Sequence, residues 1–391
     1  MNIDNDAFYA ASTILVSLIA FWSIPALRRH QASMLGVTSA VLLAMISPRT
    51  LVVPVIGGLT TFFLGKPLRE NRSGYFLILS MAVPLGTLLC YQYFLPAAQN
   101  AGWIEKSVIP LGLSYYTFKQ LHFLLESHRG NFSDATLGSY LSYLLYFPMF
   151  IAGPIERYSP FKNQVMAPQR DSLPDFSLAF ERICSGLIKK LLISDIILAP
   201  FIPEDLSSDE LMAMEWHQLV LISFIKFLRI YMDFSGYTDM AIGVSLLFGI
   251  RLMENFNHPL RQSNLAEFWR AWHISLSGWA RDYIYFPVLG RWRIPSLALI
   301  LTMLTIGAWH SLSPGWLLWG LHHGIGLAVL AYYHRKTRKY KIWRTIMQNQ
   351  AWGYLGIVTV WFYVSIGHAL TFFPEDIVFS LQLYIRTWGL G

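Results

Sequence analysis

Long apolar runs recur from one end of this chain to the other, and they limit its possible folds more than any other feature. Charged residues make up only 14% of the 391 residues, whereas soluble domains carry about 25%. So much apolar surface could not be shielded from water in a soluble protein, and an aromatic content of 15% excludes a disordered chain. The composition therefore predicts an all-α polytopic membrane protein.

The apolar runs are separated by short polar or proline-containing stretches, and we interpret them as candidate membrane segments. They cover 11–27, 32–46, 51–64, 75–95, 108–125, 137–151, 180–199, 217–231, 238–252, 297–309, 315–333 and 352–373. Several are shorter than the roughly 20 residues that cross a bilayer upright, so some could be re-entrant or buried in a bundle. We expect about 9–12 membrane helices in a single domain over residues 1–391, with a C-terminal membrane helix at about 352–373.

Basic residues in short loops predict how the chain is oriented in the membrane. Arg28 and Arg29 follow the first apolar run, so the positive-inside rule places that end in the cytoplasm and the N-terminus outside. Residues 334–344 are predicted to form a second, denser basic cytoplasmic loop, whose simplest role is contact with anionic lipid. The net charge of +7 therefore reflects topology, and nucleic-acid binding is not expected.

Charged groups within the apolar part of the chain are concentrated between Asp233 and His323, and the segment Glu267–Tyr285 is one example. If it is one helix, its aromatic side chains share one face, and the opposite face carries Arg270, His273, Ser277 and Arg281. One interpretation is an interfacial helix with snorkelling arginines and an incidental histidine. The other is a functional polar face, because charged groups inside membrane segments are costly.

Three further histidines lie in or at the end of apolar runs. His310 is either a hydrogen-bonded core residue or a neutral imidazole suited to general-base catalysis. His322 and His323 would point about 100° apart on a helix, so at most one is expected to share a site with His310. No HExxH motif is present, and a bound metal is not expected.

Several ordered blocks give the sequence a family resemblance over about residues 111–324. They are GLSYYTF (112–118), AGPIER (152–157), DFSGYTDM (233–240), ENFN (254–257), FWRAWHISLS (268–277), WH (309–310) and WGLHHG (319–324). Together they resemble the membrane-bound O-acyltransferase family, in its bacterial branch that O-acetylates alginate or D-alanylates teichoic acid. The resemblance implies a ring of membrane helices around a central tunnel.

The resemblance also implies roles for particular residues. His310 and His273 correspond to the catalytic histidines of the family, and His323, rather than His322, corresponds to a further family histidine. Residues also expected to contact substrate or line the tunnel are Arg270, Ser277, Arg281, Asp282, Trp309, Ser311 and Asn255. The alternatives are contact with lipid headgroups for the two arginines and a structural role between buried helices for Asn255. Asp282 and Glu267 are candidates to fix the arginines. Ser311 departs from the glycine usual in the family, and its side chain could narrow the tunnel or add a hydroxyl group.

The function implied is O-acylation of an exported cell-envelope polymer by a multi-pass protein of the bacterial inner membrane. The acyl group would come from a cytoplasmic thioester, and the first expectation is an acetyl group from acetyl-coenzyme A. The alternative is D-alanyl transfer from a carrier protein to teichoic acid or a similar polymer. The alternative outside the enzymes is a membrane transporter or a non-catalytic scaffold. No phosphate-binding glycine motif is present, so the donor is expected as a diffusing substrate without a tightly bound cofactor. An extracytoplasmic polymer-modifying partner is also expected.

Overall fold

The computed structural model describes residues 3–103, 109–166, 175–202, 206–337 and 350–390. Regular structure in these ranges is helical, and none of them contains a β-strand. The prediction of an all-α protein is therefore confirmed.

The α-helices are numbered here in chain order. They are α1 (Ile3–Ser23), α2 (Pro25–Arg29), α3 (Gln31–Ile46), α4 (Pro48–Asn71), α5 (Gly74–Leu89), α6 (Leu95–Asn100), α7 (Leu113–His128), α8 (Leu137–Leu145), α9 (Tyr158–Val165), α10 (Phe176–Leu187), α11 (Ser208–Ala213), α12 (Trp216–Leu247), α13 (Leu265–Ala271), α14 (Ile274–Ala280), α15 (Phe286–Trp292), α16 (Pro295–His310), α17 (Pro314–Thr337), α18 (Gln350–Gly367) and α19 (Ile377–Thr387). Turns of π-helix occur at Cys90–Phe94, Ile188–Leu198 and Arg281–Tyr285, and 3₁₀ turns at Phe147–Met149, Ala199–Phe201, Pro259–Arg261 and His368–Thr371.

Helix length and composition identify the candidate membrane spans. Among the described residues, three helical segments are long and apolar enough to cross a bilayer, namely Pro48–Asn71, Gly74–Asn100 and Gln350–Thr371. Shorter apolar helices lie at Ser12–Ser23, Gln31–Ile46 and Pro295–His310. The predicted C-terminal membrane helix agrees with the last of the three long spans, whereas the predicted total number of membrane helices stays a prediction.

The chain divides into two compact units. The first comprises Met1–Cys184 and Thr238–Met253, and the second comprises Ser185–Tyr237 and Glu254–Gly391. The core of the first unit is aromatic, with buried rings such as Phe123, Tyr140 and Tyr158 in mutual contact. The Tyr140 hydroxyl lies 2.7 Å from Thr61 Oγ1, so this core is packed and hydrogen-bonded at once.

The predicted segment 217–231 and most of the predicted segment 238–252 belong to the single helix α12, which ends at Leu247. The polar stretch between them is compatible with a helix because its one charged residue, Asp233, is paired with Lys190, which also contacts Asp195. Gly236 also permits a close backbone approach. A Cβ there would lie 2.8 Å from the carbonyl oxygen of Gly186. The predicted interruption was therefore wrong, because the partner of Asp233 comes from elsewhere in the chain and Gly236 permits close packing of the helix.

The second unit closes around a smaller apolar core. Leu211 and Leu219 pack there with Ala369, Phe379 and Leu383. This core fixes the 3₁₀ turn that follows α18, immediately beside the histidines described below. Of the basic loop predicted at 334–344, residues 334–337 form the last turn of α17, and the remainder lies outside the described residues.

Candidate active site

The predicted helix over Glu267–Tyr285 is broken at His273. Helix α13 ends at Ala271 and α14 begins at Ile274, while His273 has a left-handed backbone conformation with φ of +42°. A non-glycine residue adopts this conformation at a cost, and it persists only where the surrounding structure holds it. The prediction of one continuous helix with four polar side chains on one face was therefore wrong.

An irregular segment from the ENFN block runs beside this break and bonds to both sides of it. The backbone N–H of Asn257 donates to the Ala271 carbonyl at 2.9 Å. The N–H of Ile274 donates to the Asn255 carbonyl at 2.9 Å, and the N–H of Ser275 donates to Asn255 Oδ1 at 3.3 Å. Pairing with a distant segment thus replaces the helical hydrogen bonds that the break removes.

The His273 imidazole is packed among aromatic rings, with only 4% of the residue exposed. It meets Phe234 edge-on at 4.6 Å between ring centroids and Trp309 at 6.0 Å. Its Nε2 is buried and makes no hydrogen bond to any residue that the structure describes. The residue lies outside the candidate membrane spans, and burial lowers the pKa of its imidazole well below the usual range, so the ring is neutral.

His310 is the last residue of α16 and differs from the other histidines of this site in being exposed. Its ring stacks on Trp316 with centroids 4.3 Å apart and 19° between the planes. It also contacts Trp309 at 4.6 Å and Trp319 at 5.6 Å. Trp309 therefore contacts both of the predicted catalytic histidines, His273 and His310.

Close packing between α16 and α17 sets the position of His310. A Cβ on Gly320 would lie 2.5 Å from the Met303 carbonyl oxygen, and one on Gly324 would lie 2.8 Å from the Cα of Ile300. The glycines of the WGLHHG block are thus small residues at a helix–helix contact, which is a common device in membrane proteins.

The Ser311 side chain, which was predicted to affect the tunnel, makes a hydrogen bond with the backbone. Its Oγ accepts a hydrogen bond from the N–H of Ser313 at 3.1 Å, within the turn that follows α16. The residue is extended, with φ of −164° and ψ of 149°. The position does not require a glycine conformation, and the serine side chain has a local partner.

The two adjacent histidines of α17 have different surroundings. His322 bonds through both ring nitrogens, to the Tyr384 hydroxyl at 2.9 Å and the Tyr363 carbonyl at 3.0 Å, and it stacks on the Tyr363 ring. His323 is fully buried, and neither of its ring nitrogens has a hydrogen-bond partner among the described residues. Its ring lies 4.6 Å from Trp319, which in turn contacts His310.

His368 belongs to this cluster and was missed by the sequence analysis. It is buried in the 3₁₀ turn after α18, stacks on Phe227 at 5.7 Å and lies 6.3 Å from Trp319. Nearby, Lys226 Nζ donates to the Thr371 carbonyl at 2.7 Å. The only available signal was a lone histidine inside the apolar run 352–373, and that pattern does not distinguish a site from a core residue.

The remaining predicted polar residues are more peripheral. Arg270 is exposed in the last turn of α13. Arg281 is also exposed, and its Nε donates to Asp282 Oδ1 at 2.9 Å, as expected for a carboxylate that fixes an arginine. Glu267 accepts from Ser263 Oγ at 3.2 Å. The Ser277 hydroxyl donates to the Trp272 carbonyl at 3.1 Å, so it is engaged by the backbone rather than presented to a substrate.

The site combines the accessible imidazole of His310 with buried imidazoles that are packed among aromatic rings. The His310 imidazole can accept a proton from a substrate, and His273 can present a neutral ring nitrogen to it. Within the described ranges, no group of three histidine, cysteine or acidic side chains is placed to hold a metal ion.

Comparison with known proteins identifies the class. The sequence profile of the membrane-bound O-acyltransferase family matches residues 42–373, and the chain belongs to this family. The match is wider than the predicted core at 111–324 and, with the apolar helices, identifies a multi-pass membrane protein.

Individual relatives carry related names. A probable alginate O-acetylase of Azotobacter vinelandii is 37% identical over 57% of this chain and 44% of its own length. A peptidoglycan O-acetyltransferase of Helicobacter pylori is 33% identical over 63% of this chain and 51% of its own. A teichoic acid D-alanyltransferase of Bacillus subtilis is 30% identical over 66% of this chain and 67% of its own. The chain spans less than half of the length of the alginate relatives of Azotobacter vinelandii, Pseudomonas aeruginosa and Pseudomonas syringae.

Proposed function

We propose that this protein is an O-acyltransferase that transfers an acetyl group from a thioester to a hydroxyl group of a cell-envelope polysaccharide. The family membership and the names of the alginate and peptidoglycan relatives support this activity. The structural observation that carries it is the accessible His310 imidazole, which stacks on Trp316 and contacts Trp309, the ring that also contacts the buried His273.

In the proposed reaction, His310 takes the proton from the accepting hydroxyl as its oxygen attacks the thioester carbonyl carbon. The new C–O bond forms, the C–S bond breaks, and the proton passes from the imidazole to the departing thiolate. General-base catalysis of this kind contributes roughly 10²–10⁴-fold to a rate. Stacking on Trp316 limits the motion of the ring, which keeps its nitrogen in one direction for both proton transfers.

His273 is proposed to stabilise the negative charge that develops on the carbonyl oxygen. Its Nε2 can donate a hydrogen bond in the appropriate tautomer, and that atom has no competing partner among the described residues.

The setting of the reaction is also part of the proposal. The donor is acetyl-coenzyme A or a carrier-protein thioester, bound transiently from the cytoplasmic side, and no tightly bound cofactor is needed. The chain lies in a bacterial inner membrane with its N-terminus outside and contacts its lipid. An extracytoplasmic partner completes delivery to the polymer, and nucleic acid has no role.

The test uses protein purified in detergent with radiolabelled acetyl-coenzyme A. Wild type should release or transfer the label, and His310→Ala should reduce the rate at least roughly 100-fold while remaining monodisperse. His217→Ala is the matched control, because His217 is an exposed histidine at the start of α12. Equal turnover by wild type and His310→Ala would overturn the catalytic role of His310.

D-alanyl transfer is the second candidate, and the Bacillus relative favours it because the alignment covers 67% of that protein. Repeating the assay with D-alanyl carrier protein distinguishes the donors. Turnover with this donor alone would replace acetyl by D-alanyl in the proposal. A transporter or scaffold would show no turnover that depends on His310 with either donor.

A further inference from the structure

We infer that Asn255 is a positioning residue whose side chain holds His273 in the conformation needed for acyl transfer. The inference rests on the proposed function, and it gives Asn255 a positioning role that differs from both a substrate contact and a general contact between helices. The residue is 0% exposed, so it has no surface to offer a diffusing donor or acceptor.

The strained backbone of His273 gives this role its physical basis. Its φ of +42° is unfavourable for a residue with a side chain, so the chain relaxes unless contacts on both sides fix it. Helix α14 follows directly, and its first N–H groups lack partners within the helix. Left unbonded in a buried setting, such groups would favour a rearranged turn.

Asn255 supplies partners to two of those N–H groups. Its main-chain oxygen accepts from Ile274 and its side-chain Oδ1 accepts from Ser275, the two residues that follow His273. The side chain therefore acts as a cap contributed by a segment some twenty residues earlier in the chain. The Ser275 bond is made by the side chain, whereas the Ile274 bond is made by the main chain, so substitution by alanine removes the Ser275 bond and keeps the Ile274 bond.

The direction of the His273 ring depends on this turn. A change in the backbone at residue 273 would carry the ring away from Phe234 and Trp309, which it now contacts. A catalytic group displaced by about 1 Å can lose up to roughly 100-fold in rate. Loss of the cap should therefore lower kcat much more than it changes KM.

The chain offers a matched control two residues away. Asn257 also bonds to the turn, but through its backbone N–H to the Ala271 carbonyl, while the residue itself is exposed. Asn257→Ala keeps that bond, whereas Asn255→Ala removes an acceptor. Asn255→Asp keeps an acceptor oxygen at the same place, near a helix N-terminus where a negative charge is tolerated.

The experiment combines steady-state kinetics with hydrogen exchange of the peptide 273–280, measured by mass spectrometry in detergent. Asn255→Ala should raise exchange in this peptide and lower kcat about 10–100-fold, with KM within about twofold of wild type. Asn255→Asp should restore both exchange protection and a large part of kcat, and Asn257→Ala should match wild type.

Two results would overturn the inference. One is wild-type exchange in Asn255→Ala, which would mean that the side chain does not hold the turn. The other is a raised KM with unchanged kcat, which would indicate a substrate contact. If wild type turns over no donor, the proposed function fails for those donors, while the exchange measurement still decides whether Asn255 holds His273.

Discussion

The imidazole of His310 lies flat against the indole of Trp316, six residues later, with 4.3 Å between ring centroids. Helix α16 ends at His310 and α17 begins at Pro314, so the turn between the two helices brings these rings together. The stack immobilises an imidazole that is otherwise exposed, which relates the folding of the helix pair directly to the proposed chemistry.

Removing the indole should therefore impair turnover. Trp316→Leu is expected to lower kcat about 10-fold, because the His310 ring gains rotational freedom and spends less time in the reactive orientation. Steady-state kinetics with the active donor test this. Trp292→Leu, which removes an exposed tryptophan, should leave kcat unchanged, and equal effects of both variants would contradict a specific role for the stack.

The helix contact at Gly320 should not tolerate a methyl group. Gly320→Ala places a Cβ 2.5 Å from the Met303 carbonyl oxygen and is expected to destabilise the protein by about 1–3 kcal/mol through forced separation of α16 and α17. Thermal unfolding in detergent measures the effect. Gly290→Ala is the control, since a Cβ there meets nothing within 4 Å. An unchanged midpoint for Gly320→Ala would refute the tight contact.

His322 should contribute to stability through its two hydrogen bonds. Tyr384→Phe removes one partner of the ring and is expected to cost about 0.5–1.5 kcal/mol. His322→Phe should cost more, because it also leaves the Tyr363 carbonyl without this donor. A double-mutant cycle on thermal unfolding checks the pair. Strict additivity of the two substitutions would show that the Tyr384 bond contributes nothing.

The ion pair between Asp134 and Lys162 predicts a small pH dependence outside the membrane spans. The hydrogen bond and charge of Lys162 lower the pKa of the Asp134 carboxyl. A lowered pKa means that the pair stabilises the fold above the unfolded value near 3.9, and that this contribution is lost as pH falls through the lower folded value. Because Asp134 is exposed, we expect less than about 1 kcal/mol.

Thermal unfolding at pH 6 and pH 3 tests the pair. Asp134→Asn should narrow the difference between the two midpoints relative to wild type. When Lys162 is already replaced in Lys162→Met, adding Asp134→Asn should not change the difference between the two midpoints any further. If Asp134→Asn leaves the difference between the two midpoints as it is in wild type, the ion pair does not contribute to the pH dependence of stability.

Composition and motif order determined the class of this protein. Few charges and long apolar runs require helices, because backbone groups within lipid must be paired inside each segment. The blocks from 112–118 to 319–324 indicated the family, and the family profile confirms it. His310 was identified by its place at the end of an apolar run and by its match to the family, and the structure leaves it accessible.

The surroundings of these residues required the tertiary structure. Helical periodicity placed His273 on a face with Arg270 and Ser277, but backbone bonds from a distant segment break the helix at that residue. Local patterns cannot register a partner some twenty residues away. The same limitation hid His368, which joins the cluster only because its turn packs against α12 and α17.

The sequence by itself thus determined that the chain is helical, membrane-embedded and a member of its family, because these follow from composition and motif order. Only the tertiary structure decided which histidine is exposed, which is bonded through both nitrogens, and which is held in a strained turn. These properties depend on contacts between residues distant in sequence, and hydrogen bonding and packing at those contacts override the local preferences of the chain.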